Sequence, residues 1–245
     1  GEEALPAYNR VELTSVLGGR DAATLILEPM MWYAERDIDL RIGERVIDVD
    51  RRKRLLTTAL GKQERYDDLV FATGSFASTP VIPGTNQRGV FAYRTLEDAR
   101  RIAERARTLA RERARATVIG SGLLGIEVGQ AIADLGCGVT LVEAAPQLLP
   151  RQLDPVTAGI VAQLLVETGF ELFVGQQVER ILLTSEMRPL RPARSEPPDG
   201  VDVPDTRLRV MLASGHGIDC GMVVLASGVK PRDELARSSG LACPP

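Results

Sequence analysis

The chain is short of the residue types that most often carry chemistry on their own. Its 245 residues include one histidine, His216, and three cysteines, Cys137, Cys220 and Cys243. A single histidine argues against a histidine-based nucleophilic triad and against a multi-histidine metal site. It sits in Ser214–Gly215–His216–Gly217, which has the composition of a turn. The cysteines lie far apart and match neither a CxxC pair nor a zinc spacing, which argues for a reducing compartment and for small buried apolar side chains. No apolar run approaches the roughly 20 residues that cross a bilayer, and no signal-peptide pattern opens the chain. The cytoplasm is the expected location. A charge excess is missing too: 30 basic against 33 acidic residues give a net charge of −3, so no membrane surface or nucleic acid is indicated as the main partner. The arginine-rich stretch 100–115 is interleaved with Glu104 and Glu112 and reads as one solvated helix face.

What is present is a core-forming composition, 44% hydrophobic, on a length that suits one or two domains. The stretch from Ala116 to Glu143 organises the rest. Thr117, Val118 and Ile119 suit a buried parallel strand, which shows as an apolar run rather than an alternation. Gly120, Gly122 and Gly125 follow. The first allows a sharp turn, the second lets backbone approach a pyrophosphate, and the third removes the side chain where helix packs on strand. Leu123 and Leu124 open that helix, whose free N–H groups and dipole favour an anion at its start. Glu143 ends the next strand, Val139–Val142, 23 residues after Gly120. A carboxylate there can accept both ribose hydroxyls of an adenosine and would repel the extra phosphate of NADP. Three glycines alone are a weak signal. With strand, helix, second strand and terminal acid all in order, dinucleotide binding is the expected role.

Along the chain, residues 1–15 read as a loop running into a short helix, and Glu28 to Arg36 as a short helix. Residues 40–50 and 53–58 alternate, and with Gly61–Lys62 and Glu64–Tyr66 they form a small antiparallel meander. Leu69 to Ala72 reads as a buried strand stopping at Thr73–Gly74–Ser75. Thr95 is an N-cap with Glu97 and Asp98 in the first turn, opening a helix to about Arg113. A helix from Asp154 or Pro155 to Thr168 has Gly169 as its C-cap, and strands follow at 171–174 and 178–183. The proline-rich, charged run 187–206 reads as an insertion loop outside the core, a docking role being the alternative. A hairpin over 208–218 and a buried strand at Val223–Leu225 end in Ala226–Ser227–Gly228, echoing Ala72–Thr73–Gly74.

Two buried strands ending in Ala-(Thr/Ser)-Gly thus bracket one dinucleotide unit. This arrangement resembles the pyridine nucleotide–disulfide oxidoreductase superfamily, the FAD and NAD(P)H reductases with two dinucleotide-binding domains. Within it the chain is most similar to the N-terminal reductase part of the NAD(P)H nitrite reductase large subunit. The matching pieces are Gly1–Glu2–Glu3 with Tyr8–Asn9–Arg10, Tyr66–Asp67 leading to ATGS, Tyr93–Arg94–Thr95–Leu96–Glu97–Asp98, GSGLLGIE, PRQLD from Pro150, and GVKPRDELA from Gly228. They cover nearly the whole chain. The chain departs from the pattern at Gly221, where the family usually has an acid. Ser15 stands where the rubredoxin- and ferredoxin-reductase branch usually has a lysine. The family's opening strand and its glycine-rich turn for the flavin belong before Gly1, and its late Gly-Asp segment after Pro245, so the chain reads as a piece of something larger.

The resemblance implies an α/β fold of two Rossmann-like domains, three-layered, with a parallel sheet and an antiparallel meander: a partial FAD-binding domain over 1–94, an inserted NAD(P)H-binding domain over 95–226, and a truncated return into the first over 227–245. It implies hydride transfer from NADH, held at Gly120, Gly122, Leu123, Leu124, Gly125 and Glu143, to an FAD lined by Arg10, Thr73 and Gly74. Val46 and Gly228 are also placed among the cofactor-binding residues. Arg94 lies near the ring contact or in a salt bridge at the start of its helix. Glu127 lies near the nicotinamide or is a polar residue of the helix's first turn. Such a step needs rings held face to face with water excluded, and little proton chemistry from protein side chains. The electron acceptor would be a further domain or a separate protein, with iron–sulfur and sirohaem centres only where a full-length chain carries them. The alternatives are an NADH–rubredoxin or ferredoxin-type reductase, and an NADH-binding module without turnover. The chain alone is expected to bind nucleotide, retain FAD weakly or not at all, and reduce no nitrite.

Overall fold

The computed structural model describes residues 1–184 and 207–243; the 187–206 insertion lies outside the described residues. In chain order come short helices α1 (Thr14–Leu17) and α2 (Met30–Ala34), strands β1 (Val46–Asp50), β2 (Leu55–Thr58), β3 (Gln63–Arg65), β4 (Ser75–Ala77) and β5 (Val90–Ala92), and helix α3 (Leu96–Glu112). Next are β6 (Arg115–Ile119), α4 (Leu123–Asp134), β7 (Gly138–Glu143), α5 (Pro155–Glu167), β8 (Glu171–Val174) and β9 (Val178–Leu183). The chain ends with β10 (Leu208–Leu212), β11 (Gly217–Cys220), β12 (Met222–Leu225), β13 (Val229–Pro231) and α6 (Glu234–Ser238). Two compact units result. One comprises residues 1–13, 21–76 and 229 onward; the other comprises 14–20 and 77–228.

The second unit is a three-layer α/β fold. Its parallel sheet runs β5-β12-β6-β7-β8. The interior strands β12 and β6 are buried on both faces because both faces are covered: every residue of β12 is buried, as are residues 116–119 of β6. On one face sits the antiparallel sheet β11-β10-β9. Its inward residues Ile181, Leu208, Val210, Leu212 and Ile218 form one cluster with Ile119, Val142, Val223 and Leu225 of the parallel sheet. β10 alternates as a half-buried strand must, with Leu208, Val210 and Leu212 inside. Helices α3 and α4 pack against β6. The start of α3 is closed reciprocally: Thr95 Oγ1 accepts from Asp98 N at 3.2 Å, and Asp98 Oδ2 accepts from Thr95 N at 2.8 Å. Its buried face is Leu96, Ala99, Ile102, Ala103, Ala106 and Leu109. Helix α5 starts at Asp154, whose carboxylate accepts from Val156 N and Thr157 N, and Gly169 follows its end at φ +95.

The basic stretch is only partly a solvated face. Arg105 donates Nε and Nη2 to the Gly221 carbonyl at 3.1 and 3.0 Å. Arg115 donates Nη2 to the Val139 carbonyl at 2.7 Å and Nε to Thr140 at 3.2 Å. These two are ties between elements, made by long side chains that reach over apolar surface. The glycine at 221 has a packing reason as well: a Cβ there would meet Leu109 Cδ2 at 2.2 Å.

The first unit holds the predicted meander, β1-β2-β3, antiparallel throughout. It also holds the strand pairing of β4 with β13. The buried strand expected at Leu69–Ala72 is not there. These residues belong to no strand, and Val70 is 84% exposed. A strand buried on both faces needs neighbours on both edges, and among the described residues no ladder runs beside 69–72. The first unit contains no parallel sheet among its described residues.

Candidate functional site

Glycine-rich turn, helix start and acidic strand end meet at one end of the parallel sheet. Gly120 turns the chain with φ +106, and a Cβ on it would lie 2.7 Å from the Ala226 carbonyl oxygen. Gly125 is held tighter still: a Cβ would lie 1.9 Å from the Gly120 oxygen. Both glycines are therefore required by the fold itself. Gly122 is different. It adopts an ordinary φ of −65 as the N-cap of α4, and a Cβ there would meet nothing within 4 Å. Neither conformation nor packing explains why this position lacks a side chain. The space beside it is open.

No side chain caps α4. Its first intrahelical bond runs from Ile126 N to the Gly122 carbonyl, so the N–H groups of Leu123, Leu124 and Gly125 precede the internal ladder. Free N–H groups and the dipole at such a helix start favour an anion there. Leu123, the first residue of α4, is 65% exposed. Glu127 is exposed one turn further on.

Glu143 faces the glycine turn. Its Oε2 accepts from Ser121 N and from Ser121 Oγ, each at 2.8 Å, and its Oε1 accepts from Ala145 N at 2.8 Å. A carboxylate offers about four lone-pair sites, so one, on Oε1, remains for a ligand donor. Sequence reasoning missed Ser121 and Ala145. Ser121 is a small polar residue between two motif glycines, and only the fold shows that its hydroxyl turns inward. The loop after Glu143 is tied to the same turn through Leu149 N and the Ser121 carbonyl, 3.3 Å apart.

The other sequence-derived residues make the following contacts. Arg94 gives its backbone N–H to Asp98 at 3.1 Å. Gly228, with φ +97, presents its carbonyl to Ser78 N at 2.8 Å. In the first unit, Thr73 Oγ1 donates to the Arg232 carbonyl and Arg232 N donates to the Gly74 carbonyl at 2.9 Å. Arg10 pairs with Glu3 at 2.6 Å and lies over the Tyr8 ring. Partial burial raises the Glu3 pKa, but hydrogen bonds from Tyr8 and Arg10 outweigh it and leave the carboxyl below its ordinary value. Val46 opens β1, half-buried.

His216 lies in a turn with its ring 5.1 Å from that of Phe173. Cys137 and Cys220 are buried, and burial pushes both thiols up to about 11; Cys243, expected to be buried, is half-exposed. An alkylating reagent at about pH 8 is expected to modify Cys243 and spare the other two, since the thiolate is the reactive form. Peptide mass mapping checks this. Among the described residues no group of three or more His, Cys, Asp or Glu side chains could hold a metal, and no helix is long and apolar enough to cross a membrane.

Comparison with known proteins supplies the family. The sequence profile of the pyridine nucleotide-disulphide oxidoreductases matches residues 2–245. The chain belongs to that family. It is 34% identical over 241 residues to the nitrite reductase [NAD(P)H] large subunit of Klebsiella oxytoca, covering 98% of this chain and 23% of that protein. Nitrite reductase [NAD(P)H] of Bacillus subtilis is 31% identical over 242 residues, covering 98% and 27%. A ferredoxin reductase from Rhodopseudomonas palustris superposes with a TM-score of 0.82 at 25% identity, covering 99% of this chain and 55% of that one. The chain thus spans about a quarter of the length of these two nitrite reductases. The mixed α/β architecture, parallel sheet with antiparallel sheets, is that of this family.

Proposed function

We propose that this chain is the nucleotide-binding reductase portion of an FAD-dependent NADH oxidoreductase, the front end of an assimilatory nitrite reductase. The observation that carries the reading is Gly122, bare of a side chain that neither its backbone conformation nor its neighbours forbid. It sits between a strand end and the start of α4, with a fixed carboxylate opposite. This matches the diphosphate and ribose ends of a dinucleotide. The residues that would hold NADH are Gly120, Gly122, Leu123, Leu124 and Gly125 at the diphosphate and Glu143 at the adenosine ribose. Bound NADH supplies a hydride and FAD accepts it; the protein's part is to bind, orient and exclude water. Similarity over nearly the whole chain to nitrite reductases from two organisms supports nitrite as the final acceptor. For FAD the fit is incomplete. The first unit holds, among its described residues, no second strand–glycine turn–helix; Arg10, Thr73 and Gly74 are the residues that would line the FAD.

A second reading is an NADH-dependent reductase that hands electrons to a separate ferredoxin- or rubredoxin-type carrier, favoured by the superposition on a ferredoxin reductase. Full-length protein assayed for NADH oxidation with nitrite, and separately with a ferredoxin, distinguishes the two. Nitrite-dependent turnover with ammonia as product supports the first. Carrier reduction with no response to nitrite supports the second. No binding of NADH in a calorimetric titration would remove both.

A further inference from the structure

We infer that Ser121 is a positioning residue for nucleotide choice: its hydroxyl, from behind the binding hollow, fixes the carboxylate of Glu143 toward the adenosine ribose. The inference deepens the NADH reading above and rests on it. Ser121 is 0% exposed, so its side chain does not meet the ligand. Its Oγ and its backbone N both donate to Oε2 of Glu143 at 2.8 Å, while Ala145 N donates to Oε1 at 2.8 Å. The terminal torsion of a glutamate is otherwise broad and loosely set. Three donors on two oxygens hold it in one orientation, and the remaining acceptor site is on Oε1 rather than on the side turned to Ser121. A ribose hydroxyl therefore meets a carboxylate ordered in advance, which lowers the ordering cost of binding. A 2′-phosphate meets the same carboxylate as an immobile negative charge that does not turn aside. The serine backbone is held independently by the bond from Leu149 N to its carbonyl, so removing the hydroxyl leaves the turn tied.

The test is Ser121→Ala in the full-length protein, titrated with NADH and NADPH. NADH affinity is expected to fall about fivefold, the net worth of one hydrogen bond, while NADPH affinity holds or improves, so the preference narrows by the same factor or more. In a Glu143→Ala background the serine substitution is expected to change NADH affinity by less than about twofold, because a residue acting through another has no separate effect once that partner is gone. Equal weakening of NADH and NADPH would show a merely structural role and overturn the inference. If Glu143→Ala weakens NADH but Ser121→Ala does not, the positioning role fails and the cofactor reading stands. If Glu143→Ala leaves NADH unaffected, the cofactor reading itself fails. Should Ser121→Ala prove unstable, Ser121→Cys fills similar volume with a poor donor and is expected to show the same narrowing.

Discussion

Replacing Gly122 with aspartate is expected to abolish nucleotide binding without destabilising the protein. The two effects separate because this glycine is not needed by the fold. Its φ of −65 suits any residue, and an added Cβ meets no atom within 4 Å. Aspartate is a better N-cap than glycine by a few tenths of a kcal/mol, and α4 has no side-chain cap to lose. The new carboxylate would take the N–H groups that, on the proposed reading, face the diphosphate, and would set a negative charge where the ligand's charge would lie. Loss of at least about 100-fold in affinity, roughly 2.7 kcal/mol, is expected for both NADH and NADPH. Thermal melting should be unchanged or slightly raised. Gly125→Ala provides the contrast. Its Cβ would sit 1.9 Å from the Gly120 carbonyl oxygen, and backbone on backbone cannot give way, so a loss of roughly 3 kcal/mol of stability is expected. Nucleotide binding at wild-type strength by a stable Gly122→Asp protein would mean that the turn is only a strand-to-helix connection.

Glu143→Ala should weaken NADH by about 100-fold and leave NADPH nearly unaffected or tighter. The carboxylate is half-buried and held by three donors, so a ligand hydroxyl bonded to it makes a charge-assisted contact in a partly desolvated place. Truncating one partner of such a contact costs about 2–5 kcal/mol. The 2′-phosphate of NADPH gains instead from removal of a like charge. Melting should fall, by about 1–3 kcal/mol in stability, because Ser121 N and Ala145 N lose their acceptor. Retained NADPH binding is the sign that the fold survives. Parallel loss of both nucleotides would count against the ribose role of this residue.

Both substitutions act on positions that the order of residues alone marks out, and the reasons are local. A β-branched run, three glycines at set spacings, a helical pattern and an acid at the next strand's end are all encoded within 28 consecutive residues, 116–143. Helix starts at Thr95 and Asp154 are legible likewise, because a cap and the N–H groups it satisfies lie within four residues of each other. The alternation of β10 marks a half-buried strand.

Residues whose partners are far along the chain are not legible. Leu69–Ala72 has the composition of the buried strand Val223–Leu225, yet the first leaves Val70 exposed and the second is wholly enclosed. Composition says that a segment tolerates burial; only neighbouring strands and covering layers confer it. Arg105 reaches the carbonyl of residue 221, 116 positions away, and Arg115 reaches the carbonyl of residue 139. Neither tie leaves a mark in the spacing of arginines. Ser121 reads as a neutral filler between glycines until the fold sets it 2.8 Å from a carboxylate 22 residues later. The sequence by itself determined the strand–turn–helix–strand unit of 116–143, the caps at Thr95 and Asp154 and the alternation of β10, since backbone conformation and periodicity act over a few residues. Tertiary structure alone decided which apolar strands are enclosed, which charges are tied down and how the carboxylate is aimed, since those depend on groups that only packing brings within hydrogen-bond reach.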